Sequence, residues 1–434
     1  MAVRHSGLPY AWIIVGIAII SMTLIYGIRH SFSVFFPSIL EEFGWNRGST
    51  AFMLSLNLLV YGFLAPITGS LGDRWKPHRV MPIGLIILGL ATTGCAFARE
   101  LWHFYLLLGV VAAIGMACAG WPLLAPALAN WFSRKRGLAM GLAQSGAGLS
   151  FTYGLYAEFA ISQVGWRHAY FVLAGTLGAV LLPLYLFFFH FRPESKGLKP
   201  YGADKAVLAK DEAPEIPQTG GLLKHDWTLR AAMSTYQLWL LMLAYFLFWG
   251  IGTYLVITHQ VKFAEDVGYS STFAASIFAL FGIFQIGGQL SSGISDRIGR
   301  EVTITFACTM MIAALIALVS VNDTSRPWLL YIYAVCFGYG CGFFSPTMTA
   351  GAADIFHGKH FGAIAGILLT GMGIGGVIGP WLGGYIHDIT GSYTSAFFLC
   401  MAAFALACTS FWVAAPRNAE KLNAKIRQTP TPSG

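Results

Sequence analysis

Apolar residues run along this chain in long, nearly uncharged blocks, each ending at a short polar break. A helix rises about 1.5 Å per residue, so a block of roughly twenty residues crosses the hydrocarbon of a bilayer. The breaks give spans at 11–37, 48–72, 79–97, 102–129, 137–162, 166–189, 237–260, 272–294, 302–320, 327–353, 361–386 and 393–415. The pattern predicts an all-α membrane protein with twelve transmembrane helices. Its first block is too long for the core of a cleaved leader and reads as the first span.

One polar stretch exceeds the others. From His190 to Tyr236 it carries Pro193, Pro200, Pro214 and Pro217 together with Lys210, Asp211 and Glu212, and it reads as a cytoplasmic linker. The expected organisation is a six-helix bundle at 1–189, the linker at 190–236, a second six-helix bundle at 237–415 and a cytoplasmic tail at 416–434.

Composition narrows the class further. With 56% hydrophobic and 11% charged residues the chain lacks the polar surface a water-soluble globule of this size needs. Placing the N-terminus inside puts 21 Lys and Arg residues in cytoplasmic segments and five on the other side, with Arg29 left in a span. Cytoplasmic loops retain positive charge, so both termini are expected in the cytoplasm, with the chain multi-pass in the cell inner membrane. Basic loops beside an anionic leaflet account for the net charge of +8, and no nucleic-acid partner is expected. The seven cysteines fall inside apolar blocks without metal-ligand spacing and read as packing residues. No cofactor or metal is expected. No set of nucleophile, base and metal ligands clusters in the spans, which argues against an enzyme.

Sliding the second half back by 224 residues aligns Gly44 and Trp45 with Gly268 and Tyr269, and Pro122 with Pro346. Asp73 and Arg74 meet Asp296 and Arg297 one residue out of that register. Duplicated six-span halves are an arrangement that alternates access to a site. The run Gly69, Ser70, Leu71, Gly72, Asp73, Arg74, Trp75, Lys76, Pro77, His78, Arg79 after the second span resembles the signature of the major facilitator superfamily. A second copy stands at Gly293, Ile294, Ser295, Asp296, Arg297, Ile298, Gly299, Arg300. Lys76 takes a place where the family usually has Gly, which the second copy keeps as Gly299. The resemblance implies two pseudo-symmetric six-helix bundles around a central cavity, alternating access, and a conformational latch at Asp73, Arg74, Asp296 and Arg297. A basic membrane anchor is the other reading of those loops.

Within that superfamily, Tyr26 through Pro37 and on to Phe43, Gly44, Trp45, Asn46 and Arg47 resembles the monocarboxylate porter and oxalate/formate antiporter families. Those families imply a secondary active transporter of a small organic anion, a monocarboxylate such as lactate or pyruvate, with proton symport in many bacterial members. Two departures stand out. Gln289 falls where their eighth-span Arg would be, and no Lys occurs between Phe361 and Ile386. An exporter or exchanger of another organic solute, drug-like or phosphorylated, is the alternative. The expected partners are a small organic anion, protons and the lipid bilayer, with a single copy as the functional unit.

The candidate substrate contacts are Arg29, His30, Asn57, Tyr61, Gln285 and Gln289. A charge inside a span is costly, so Arg29 should face protein, water or a ligand, unless it snorkels to the interface. Asn57 and Tyr61 lie one turn apart in the second span, as do Gln285 and Gln289 in the eighth; each pair suits either a substrate face or helix packing. For proton coupling the candidates are Glu158 and His30, groups whose ionisation burial can tune. Glu158 also suits an interfacial acid.

Overall fold

The computed structural model describes residues 7–74, 77–132, 136–202, 227–356 and 361–414. Among these, ten helices are long and apolar enough to cross a membrane. One of them, Leu138–Phe188, turns at Gly165, where φ is 76°. Only a residue without a Cβ adopts that backbone at little cost, so this helix is two spans, α5 (138–164) and α6 (166–188). With the shorter apolar helix at Arg79–Cys95 the number reaches the expected twelve.

The others are α1 (Tyr10–Phe43), α2 (Arg47–Arg74), α3 (Pro77–Cys95), α4 (Leu101–Trp131), α7 (Tyr236–Val267), α8 (Ser271–Ile298), α9 (Arg300–Val319), α10 (Trp328–Ile355), α11 (Phe361–Thr390) and α12 (Thr394–Ala414). The repeat is visible in the backbone. Gly44 ends α1 with φ 62°, and Gly268, its counterpart, follows α7 with φ 108°. Both are left-handed ends that glycine tolerates. Gly391, between α11 and α12, repeats the role of Gly165 with φ 71°.

The chain divides into two compact units, one of residues 1–216 with 260–283 and one of residues 217–259 with 284–434. In the first, α1 packs on α5, α3 on α4 and α6, and α2 on α4. Gly115 lets α4 approach α3 closely, since a Cβ there would lie 2.6 Å from Leu88 N. Residues 260–283 join this unit through an Arg47–Asp266 ion pair and through Phe278 and Phe281, whose rings stand edge-on to Phe151 at 5.1 and 4.6 Å. In the second unit α9 packs on α10 and α12, and α7 on α11 and α12. A Cβ on Gly375 would stand 2.7 Å from Gly250 Cα, which is why small residues crowd α11. Widened π-helical turns occur at Tyr105–Val111 in α4, Leu184–Phe188 in α6 and Phe246–Thr253 in α7.

Candidate functional site

Arg29, on α1, is 4% exposed. Its Nε donates to Asn57 Oδ1 at 2.8 Å, and Asn57 Nδ2 donates to the Leu108 carbonyl at 2.7 Å. Leu108 lies in the π-helical stretch of α4, so a backbone irregularity of the kind found at functional sites fixes the asparagine that fixes the arginine. The guanidinium also lies over the Tyr61 ring at 4.5 Å and the Tyr26 ring at 5.3 Å. The two tyrosine hydroxyls are 2.9 Å apart. Helical spacing brings this about: Tyr26 and Arg29 share a face of α1, and Asn57 and Tyr61 share one of α2.

Two features of the cluster bear on chemistry. Arg29 Nη2 is buried without a hydrogen-bond partner. The ion pairs among the described residues all lie elsewhere, so no carboxylate among them neutralises Arg29. The partners it has are a neutral amide and two aromatic faces. These orient a cation and leave its charge, together with one N–H edge of a planar fork, for an anion.

His30, the next residue, points to other groups. Its Nδ1 lies 2.7 Å from Ser150 Oγ and its ring stacks on Phe151 at 4.0 Å. Ser150 Oγ donates to the Ala147 carbonyl at 2.6 Å, which uses its one proton. The Ser150 oxygen therefore accepts from His30 Nδ1–H, and in the neutral ring the lone pair for a further proton sits on Nε2. The Tyr26 ring lies beside both residues, 6.2 Å from His30 by centroids.

The remaining candidates lie apart from this cluster. Glu158, on α5, is buried and within electrostatic reach of Glu265. Gln285 and Gln289 stand on the part of α8 that belongs to the second unit, each with a buried Oε1 lacking a hydrogen-bond partner. Their backbone packs tightly on α10, where a Cβ at Gly342 would lie 2.8 Å from Gln289 N. The side chains of Asp73 and Arg74 lie outside the described residues. Asp296 pairs with Arg300, whose Nε also donates to Asp354 at 3.1 Å, whereas Arg297 is exposed. Gly299 has φ 97°, which explains why glycine occupies that place.

Four members of these groups were not among the site residues the sequence suggested. Tyr26, three residues before Arg29, carries a signal in its spacing. Arg300 and Asp354 are far apart in sequence, and only the fold pairs them. The Leu108 carbonyl has no side-chain signature at all.

The family model described as Major Facilitator Superfamily matches residues 12–338 and 324–433. Monocarboxylate transporter 11 of Mus musculus is 28% identical over 428 residues, covering 96% of this chain and 90% of its own. Monocarboxylate transporter 13 of Bos taurus is 27% identical, with coverages of 94% and 89%. Among solved structures, a bacterial homolog to the human lysosomal transporter Spinster, in an inward-facing and occupied conformation, superposes with a TM-score of 0.66 at 16% identity, covering 98% of this chain and 99% of that one. That likeness concerns the fold.

Proposed function

Because the chain belongs to the Major Facilitator Superfamily and is a multi-pass membrane transporter, we propose that its solute is a small organic monoanion, a monocarboxylate such as lactate or pyruvate, moved by alternating access. The observation that carries this reading is the buried Arg29, with Nη2 unpartnered and no carboxylate among the described residues paired to it. A carboxylate accepts two hydrogen bonds from a guanidinium edge, and the mutually hydrogen-bonded Tyr26 and Tyr61 hydroxyls lie beside it. Gln285 and Gln289 supply amides and no charge, which suits one negative charge on the solute and not two. Relatives named monocarboxylate transporters support the same class.

Proton symport is part of the proposal, with His30 Nε2 as the first acceptor and Glu158 as the second candidate. Asp73, Arg74, Asp296 and Arg297, now with Arg300 and Asp354, are proposed as a conformational latch. Purified protein in proteoliposomes, given labelled lactate, pyruvate, formate, oxalate and a neutral sugar with and without an inward proton gradient, tests these points together. The expected outcome is uptake of lactate or pyruvate, stimulated by the gradient and competed by other monocarboxylates. Sugar uptake with no carboxylate uptake would sink the anion reading.

A further inference from the structure

The chain that follows α6 stays docked on the first unit. α6 ends with Leu186, Phe187 and Phe188 exposed at 60%, 69% and 50%, an apolar band suited to lipid. Beyond it, residues 189–202 form a strap across the ends of α1 and α4. Tyr10 Oη donates to the Phe188 carbonyl at 2.6 Å, Trp131 Nε1 to the His190 carbonyl at 2.6 Å, and Tyr201 N to the Trp131 carbonyl at 2.8 Å. Pro193 is buried and opens a tight turn to Lys196, which Gly197 closes with φ 66°. The strap carries three cations, Arg192, Lys196 and Lys199, against one carboxylate, Glu194, and all four residues are exposed. Lys196 Nζ lies 4.4 Å from the centre of the Tyr10 ring. The ion pairs among the described residues include neither Arg192 nor Lys196.

We propose that the strap is a headgroup site for an anionic phospholipid, in which Arg192 and Lys196 hold the phosphate while the acyl chains lie along Leu186, Phe187 and Phe188. The exposed band marks where hydrocarbon ends, and the two cations follow it by four and eight residues. Because the strap runs across the helix ends instead of away from them, these cations stay at the level of the headgroups, where each Lys or Arg attracts an anionic lipid. Docking fixes the backbone before any lipid arrives, so little ordering entropy opposes binding. Charge then selects the lipid. A phosphatidylglycerol headgroup brings a net negative charge to two cations without a carboxylate partner, whereas phosphatidylcholine adds an ammonium that they repel. The guanidinium and the ammonium each donate to a free phosphate oxygen, and the Tyr10 ring orients the ammonium without neutralising it.

The site is independent of the solute, and its test needs no transport assay. The probe is phosphatidylglycerol with a diazirine near the start of one acyl chain, compared with phosphatidylcholine carrying the same group. Full-length protein in nanodiscs is irradiated with each, and the labelled residues are mapped by mass spectrometry. Labelling at Leu186, Phe187 and Phe188 should be about tenfold higher with the anionic lipid, while the exposed Phe306 and Ile316 of α9 should take both probes alike. Arg192→Gln combined with Lys196→Gln should bring the anionic probe down to the phosphatidylcholine level at the end of α6 and leave α9 unchanged. The charge-keeping pair, Arg192→Lys with Lys196→Arg, should retain wild-type labelling, which separates charge from packing, and size-exclusion chromatography checks that every variant folds. Excess soluble glycerol 3-phosphate should not displace the probe, because it lacks the chains that hold a lipid against α6. Equal labelling by the two lipids in the wild type, a difference that survives in the glutamine variant, loss of labelling in the charge-keeping pair, or displacement by glycerol 3-phosphate each overturns the proposal.

Discussion

The Arg29 cluster in the first unit and the Gln285/Gln289 pair in the second solve different problems with similar building material. In the first, a buried cation is tied through Asn57 to the Leu108 carbonyl and laid across two tyrosines, with one nitrogen left unpaired. In the second, two uncharged amides each keep an unpartnered Oε1. The duplication makes the contrast sharper. Moved 224 residues on, Arg29 becomes Thr253, which is fully buried and spends its hydroxyl on the Phe248 carbonyl at 2.8 Å; Tyr61 becomes Gln285, and Asn57 becomes Phe281. The duplication kept the helices and the left-handed glycines while one half alone kept the charge. A buried guanidinium costs several kcal/mol in a membrane protein, which makes two copies harder to hold than one.

The largest expected effect comes from removing that charge. Arg29→Gln should cost about 2 to 4 kcal/mol in apparent carboxylate binding, roughly 30- to 1,000-fold in KM, as truncating one side of a buried charge pair does. Arg29→Lys should lose less, since charge stays while the planar fork goes. Uptake of a carboxylate panel by Arg29→Gln at the wild-type rate, with normal insertion, would leave helix packing through Asn57 and the two tyrosines as the role of this residue.

A subtler change reverses the electrostatics without touching Arg29. Asn57→Asp places a carboxylate where Asn57 Oδ1 now accepts from Arg29 Nε, so the arginine gains an internal counter-ion. Anion affinity should fall about as far as in Arg29→Gln, and thermal stability in detergent should hold or rise, because the buried charge is now paired. Asn57→Leu removes the tether and leaves the charge. It should raise KM by about tenfold, in line with one charge-assisted hydrogen bond, and move kcat less. Equal kinetics for both variants would mean that Asn57 serves packing alone.

The difference between the two regions also marks what the sequence disclosed. Twelve spans, the repeat and the exceptional position of Arg29 were legible because membrane burial makes hydropathy and charge nearly unambiguous. Asn57 and Tyr61 stood out by one-turn spacing, and the fold brings them onto Arg29. His30 was legible as a titratable group in a span, yet its contact with Ser150 crosses 120 residues of sequence and depends on helix packing. The motif named Asp296 and Arg297 together as latch residues, and the fold adds Arg300, which one helical turn brings into reach of Asp296. Backbone groups such as the Leu108 carbonyl leave no trace in residue identity, and a π-helical turn is invisible to hydrophobic periodicity.

The smallest effect, and the one that most sharpens the comparison, concerns the amides. Gln289 stands where the resembled families carry an arginine, and Gln285 repeats Tyr61. If these side chains select for one negative charge on the solute, Gln289→Leu should change KM for lactate or pyruvate only a few-fold, on the scale of one neutral hydrogen bond of about 1 kcal/mol. Gln289→Arg is the informative substitution. A second cation should improve competition by oxalate relative to lactate, since the dianion gains a second charge-assisted contact while the monoanion gains little. The measurement is inhibition of labelled lactate uptake by unlabelled oxalate in both proteins. An oxalate-to-lactate ratio unmoved in a folded Gln289→Arg protein would separate Gln289 from the solute and leave selection to the Arg29 cluster alone.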